Sequence, residues 1–199
     1  MKIVLLGFNK CGTTSFHKMF IANGLNSRHH GSNNTKKNLA MILHKNFHLG
    51  GNLYNGIDFD CIMDISYLSE TIHIEAQFYY KEMYESEPGN YYILNTRPMD
   101  KWINSRIRHG GGDFVNRFGN FYVERNLSQI KKLWAQQWES LHTGVVDFFN
   151  AKAADGLKVN FLKFDIEKDN PMLIKNFLEP DFSWLDIAHW GKHNASKKI

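Results

Sequence analysis

KIVLLGFNKCGTT, residues 2–14, is the stretch that decides the fold. Lys2 to Phe8 is a short, nearly continuous apolar run that reaches Gly7 without the alternation of a half-exposed strand. It predicts a strand buried on both faces of a parallel sheet, and its place at the N-terminus predicts the central one. From Thr13 to Gly24 the apolar residues Phe16, Met19 and Phe20, with Leu25 just beyond, recur at helical spacing, and Gly24 supplies the stop. Strand, glycine-bounded turn and helix thus follow one another.

Such a junction gathers backbone N–H groups at the positive end of a helix dipole, so Asn9, Lys10, Cys11, Gly12, Thr13 and Thr14 form an anion cradle by position. Gly7 and Gly12 have the spacing of the Walker A loop, G-x-x-x-x-G-K-[ST], and Thr14 takes its hydroxyl position. The lysine departs from that pattern: Thr13 follows the second glycine, and the lysine stands inside the loop as Lys10. In nucleotide triphosphatases the lysine reaches the β- and γ-phosphates. From position 10 it would lie beside the 5'-terminal group of a shorter nucleotide, which argues against ATP or GTP hydrolysis. The plain alternative is a tight turn with a solvated lysine.

Outward from this unit, strands and helices alternate. Ser32, Asn33, Asn34 and Thr35 are placed to cap a helix over Leu39 to Phe47, and Gly50, Gly51, Asn52 and Asn55 mark a loop. Asp60 to Ile65 reads as a short buried strand. Ile72, Ala76, Tyr79, Tyr80 and Met83 predict a helix ending at Pro88-Gly89. Tyr91 to Thr96 (YYILNT) is the clearest later strand, and Pro98 opens a helix carrying Trp102, Ile103 and Ile107. His109 to Gly119 is glycine-rich and reads as an irregular loop or lid. Leu127 to Phe149 predicts a long helix, and Leu157 to Phe164 a last strand. The sum is an α/β fold, a three-layer, doubly wound, mainly parallel sheet in one domain over residues 1–199. Trp102, Trp134, Trp138, Trp184 and Trp190 read as core residues rather than stacking platforms.

The chain has 199 residues, is 43% apolar and 22% charged, and carries a net charge of +4, which suits a folded domain that favours anionic ligands without demanding nucleic acid. Its two cysteines, Cys11 and Cys61, give no disulfide framework. No metal-ligand spacing organises the ten histidines, and no apolar run is long enough for a membrane span. A cytoplasmic protein with no metal is the expectation.

GFNKCGTTS, residues 7–15, resembles the 5'-phosphosulfate loop of sulfotransferases that use the adenylate-linked sulfate donor PAPS. A second stretch, TRPMDKWINS, residues 96–105, is similar to the family's 3'-phosphate motif, an arginine at a strand end and a serine eight residues later. The resemblance implies a P-loop-like sulfotransferase fold and transfer of SO3 from PAPS to an acceptor hydroxyl or amine, releasing PAP. It also implies that Lys10 stabilises charge on the bridging oxygen while Arg97 and Ser105 bind the 3'-phosphate. Arg97 supplies a planar fork for such a dianion. Lys192 lies in a basic tail similar to the segment that covers the 3'-phosphate in some members. Arg106 and Arg108 read as added positive charge or a solvated helix face, with no assigned role.

Transfer needs a general base. Asp64, in FDCIMDIS at the end of a strand, is the first candidate, with the cap of a helix starting near Ser66 or Ser69 as its plainer alternative. His29, His30 and His109 are the others. The expected acceptor is a small molecule or carbohydrate, and the long helix around Trp134 leaves open a homodimer. Two rivals remain: a P-loop kinase of a small molecule, and an inactive nucleotide- or glycan-binding module.

Overall fold

The computed structural model describes residues 1–29 and 38–191. The cap cluster Ser32 to Thr35, His30 and Lys192 lie outside the described residues. In chain order the elements are β1 (Ile3–Leu5), α1 (Thr13–Ala22), β2 (Ser27–His29), α2 (Leu39–Leu49), β3 (Cys61–Met63), β4 (Ser66–Leu68), β5 (His73–Glu75), α3 (Tyr80–Ser86), β6 (Tyr91–Thr96), α4 (Met99–Ile107), α5 (Asp113–Tyr122), α6 (Leu127–Ala154), β7 (Phe161–Asp165) and α7 (Met172–Phe182).

Five strands pair in the order β2-β3-β1-β6-β7, all in parallel, with β1 in the middle. Alternate residues of each strand enter opposite cores, as the two-residue period of a strand requires. Ile3 and Leu5 of β1, Cys61 and Met63 of β3, and Tyr91 and Ile93 of β6 pack on α1 and α7 through Phe16, Phe20, Ile174 and Leu178. Val4, Leu6, Ile62, Tyr92 and Leu94 face the other way, into a larger core built by α2, α3, α4, α5 and α6 around Leu43, Met83, Trp102, Phe118 and Trp134. Burial on both faces is why these strands read as continuous apolar runs, and the doubly wound α/β expectation holds.

Four expectations need correction. The segment from Ile72 is not a helix: β4 and β5 form an antiparallel hairpin with Tyr67 opposite Ile74, and helix begins only at Ala76, as one 3-10 turn leading into α3. The turn is set by Ser69, whose hydroxyl accepts the amides of Thr71 and Ile72, so the chain reverses into β5, which starts at His73 and buries Ile74. The glycine-rich span is irregular only at His109–Gly112, after which α5 buries Phe114 and Phe118, one turn apart. The last strand begins at Phe161 rather than Leu157. Trp184 is more than half exposed, whereas Trp102 and Trp134 are core as expected. At α2 the helix cap is Asn38, whose side chain accepts from the Met41 amide.

Candidate active site

The polar candidates lie just past the C-terminal ends of parallel strands, the edge where open α/β sheets bind ligands. The loop follows β1, His29 ends β2, Asp64 follows β3, Arg97 follows β6 and Glu167 follows β7. From β1 the chain crosses to β2 on one side, and from β6 it crosses to β7 on the other, so the crevice opens between the ends of β1 and β6.

The loop is held from behind. Asn95 of β6 clamps both its ends, accepting from the Gly7 amide at 2.9 Å and donating to the Cys11 carbonyl at 2.8 Å. Trp102 Nε1 donates to the Asn9 carbonyl at 3.0 Å, and Arg97 Nη1 to the Lys10 carbonyl at 3.2 Å. In a trans peptide the N–H points opposite to the carbonyl. Anchoring the carbonyls of Asn9, Lys10 and Cys11 against β6 and α4 therefore turns the next amides the other way, although that of Cys11 closes on Phe8 at 3.3 Å. Gly12, with φ of 80°, starts α1 without a side-chain cap, so the first amides of the helix face the cradle. The Cys11 thiol is buried and pushed up to about 12 by that burial, an inert packing group.

Lys10 adopts a left-handed φ of 68°. Its ammonium lies 3.4 Å from His109 Nδ1. Burial lowers the lysine pKa, the Asp64 carboxylate opposes that, and Arg97 reinforces it. His109 is lowered too, by burial first and by Lys10 next, which favours a neutral ring accepting from the ammonium.

Asp64, also left-handed with φ of 53°, accepts from the Ser66 hydroxyl at 3.3 Å and lies 3.5 Å from His29 Nε2. His29 Nε2 is also 3.0 Å from the Thr13 hydroxyl, so the loop, β2 and the end of β3 meet at this imidazole. Because Ser66–Leu68 is a strand, Asp64 caps no helix there. His29, Asp64, Ser66, His109 and Arg117 line a cavity of about 700 Å³ whose far wall is the β4–β5 hairpin.

Arg97 and Lys101 both ion-pair with Glu167. Ser105 is buried on α4, and no hydrogen bond joins it to Arg97 among the described residues. Of the two readings for Arg106, added charge or a solvated helix face, the solvated one does not hold, because the residue is fully buried: its Nε donates to Asn9 Oδ1 at 2.9 Å and its Nη2 to Glu75 Oε1 at 2.5 Å. Asn95, Glu75 and Glu167 escaped sequence reading. Only Glu167 carried a usable signal, its place just after a strand end.

The family model described as a sulfotransferase domain matches residues 2–167. The chain belongs to that sulfotransferase family. Its match ends at Glu167, so it takes in the loop after β1 and the ends of all five strands of the sheet. A search of curated proteins finds no match. Among the described residues of this sulfotransferase, no group of three or more His, Cys, Asp or Glu could hold a metal ion, and no helix is long and apolar enough to cross a membrane.

Proposed function

We propose that this sulfotransferase takes its sulfuryl group from PAPS and passes it to a hydroxyl or amine of a small polar acceptor, releasing PAP. The observation that carries this reading is the pairing of two cationic groups at the ends of neighbouring strands. An amide cradle with Lys10 follows β1, and a second cation group with Arg97 follows β6. Such spacing suits a nucleotide charged at both its 5' and 3' positions better than a linear triphosphate.

In the proposed reaction the amides of Gly12 and Thr13, at the start of α1, hold the 5'-phosphate. Lys10 neutralises charge on the bridging oxygen as its bond to sulfur breaks and the acceptor oxygen's bond to sulfur forms. The acceptor proton goes to Asp64, with His29 as its contact and relay. Both border the cavity in which the acceptor sits, between the donor loop and the hairpin. Arg97 at the end of β6, with Ser105 on the α4 helix that follows, takes the 3'-phosphate, and Lys192 contributes from the tail.

Calorimetric titration with PAP and with ATP, each with and without magnesium, tests the donor. Saturable PAP binding that is independent of magnesium and weakens on Arg97→Ala is the expected result. Preference for magnesium-ATP would transfer the chain to kinase chemistry. Binding of neither would leave a module without turnover.

A further inference from the structure

The carboxylate of Glu167 sits on two cations that the donor would use. It accepts from Arg97 Nη2 and from Lys101 Nζ, one oxygen for each. Of the other guanidinium nitrogens, Nη1 gives one of its two hydrogens to the Lys10 carbonyl, and Nε is buried without a partner. The Nη2 edge is where a charged group meets this guanidinium, and a carboxylate already holds it. Lys101, in the first turn of α4, brings its ammonium to the same point while its side chain stays 54% exposed.

We infer that Lys101 is a second cation for the 3'-phosphate of the donor, and that Glu167 is the carboxylate which that phosphate displaces. The inference rests on the PAPS reading above. Charge balance supports exchange over addition. Two cations against one carboxylate leave a surplus of one positive charge, whereas two cations against a phosphate dianion are neutral. Keeping Glu167 in place beside the phosphate would set three negative charges against two positive ones. Glu167 can leave, because it lies in the turn after β7, tied there through its backbone amide to Asp165 Oδ1 at 2.9 Å, with no further side-chain anchor among the described residues. The contact thus makes the donor site selective: an anion must outbid a built-in carboxylate, and a nucleotide without a 3'-phosphate has nothing with which to do so.

The test titrates PAP and AMP, which lacks the 3'-phosphate, into the wild-type protein, Glu167→Gln and Lys101→Gln, with thermal melts confirming that each is folded. Glutamine keeps the shape of the glutamate and removes its charge. Glu167→Gln is expected to tighten PAP by about three- to tenfold, and Lys101→Gln to weaken it by about the same factor, each leaving AMP within about twofold. If Glu167→Gln weakens PAP or leaves it unchanged, the carboxylate is a strut that orients Arg97 and the inference is overturned. Equal changes for PAP and AMP would overturn it too. If the wild-type protein binds no PAP, the donor reading itself fails and this inference falls with it.

Discussion

Lys10 holds a backbone conformation that costs a residue bearing a Cβ about 1 kcal/mol or more. The strain is met by the Arg97 and Trp102 donors that fix the loop carbonyls around it. Lys10→Ala keeps the Cβ and therefore the same strain, so the melting temperature should stay close to that of the wild type. Transfer should fall by about 10²- to 10³-fold, the usual cost of removing one donor aimed at developing charge. Normal turnover in that variant would end the role proposed for this side chain. The ammonium is also half-buried, and its pKa is lowered from 10.5. A cation with a lowered pKa loses its proton earlier as pH rises, so kcat/KM should show an alkaline limb below pH 10.5. Lys10→Arg, whose guanidinium stays charged, should lose that limb whatever its remaining rate. A limb that persists in Lys10→Arg would belong to another group.

At the scale of elements, the loop after β1 is a strand-to-helix turn tied to its neighbour β6, and at Gly7 the two are in close contact. A Cβ at Gly7 would lie 1.9 Å from the Asn95 carbonyl oxygen and 2.6 Å from its side-chain oxygen. The first is backbone of the buried strand β6 and the second belongs to the clamp, so neither can retreat without disturbing the sheet or freeing the loop. Gly7→Ala should therefore destabilise the protein by about 1–3 kcal/mol in urea melts and weaken PAP binding at the same time. A stable Gly7→Ala protein with full PAP affinity would mean that the clamp does not shape the cradle. The glycine, the central strand and the first helix were legible because their signals are local: an apolar run, a turn residue, a 3.6-residue period. The β4–β5 hairpin was not, because two three-residue strands offer too few repeats to oppose an apparent helical spacing from Ile72 to Met83. The α5 helix was hidden by Gly119, which reads as a breaker. It is small because the chain folds back against it, the Glu124 carbonyl lying 2.5 Å from where a Cβ would be. In the site, Lys10, Arg97 and Asp64 announced themselves by motif and strand-end position. Asn95 lay inside a strand already read as core, so its polar duty had no separate mark.

Across the whole molecule, one buried cation joins the loop after β1 to the hairpin that walls the cavity. Arg106 bridges Asn9 and Glu75, residues 97 and 31 positions away in sequence, a distance that no local pattern reveals. Its guanidinium is ringed by Trp102 at 4.7 Å, Phe114 at 4.9 Å, Trp134 at 5.2 Å and Phe8 at 5.3 Å, so three helices and the loop pack on one charge. Burial raises the Glu75 pKa, but Arg106 and then His73 outweigh it and hold the carboxyl well below its ordinary 4.5. A carboxyl lowered in the folded state adds stability above its unfolded pKa, and that contribution is lost as pH falls from about 4.5 toward the folded value. Arg106→Met should therefore strand a buried carboxylate at pH 7 and cost about 3–5 kcal/mol. At pH 4 and below the difference from wild type should shrink, because Glu75 takes a proton in the variant while the wild-type protein is losing its own advantage. Adding Glu75→Gln to Arg106→Met should restore part of the stability at pH 7 by removing the stranded charge, but not PAP affinity, since Asn9 would still lack the donor that orients it. Urea melts of the single and double variants at pH 7 and pH 4, paired with PAP titration, measure both halves. An Arg106→Met protein within about 1 kcal/mol of wild type at pH 7 would show that the aromatic cage, rather than the ion pair, holds the hairpin to the loop.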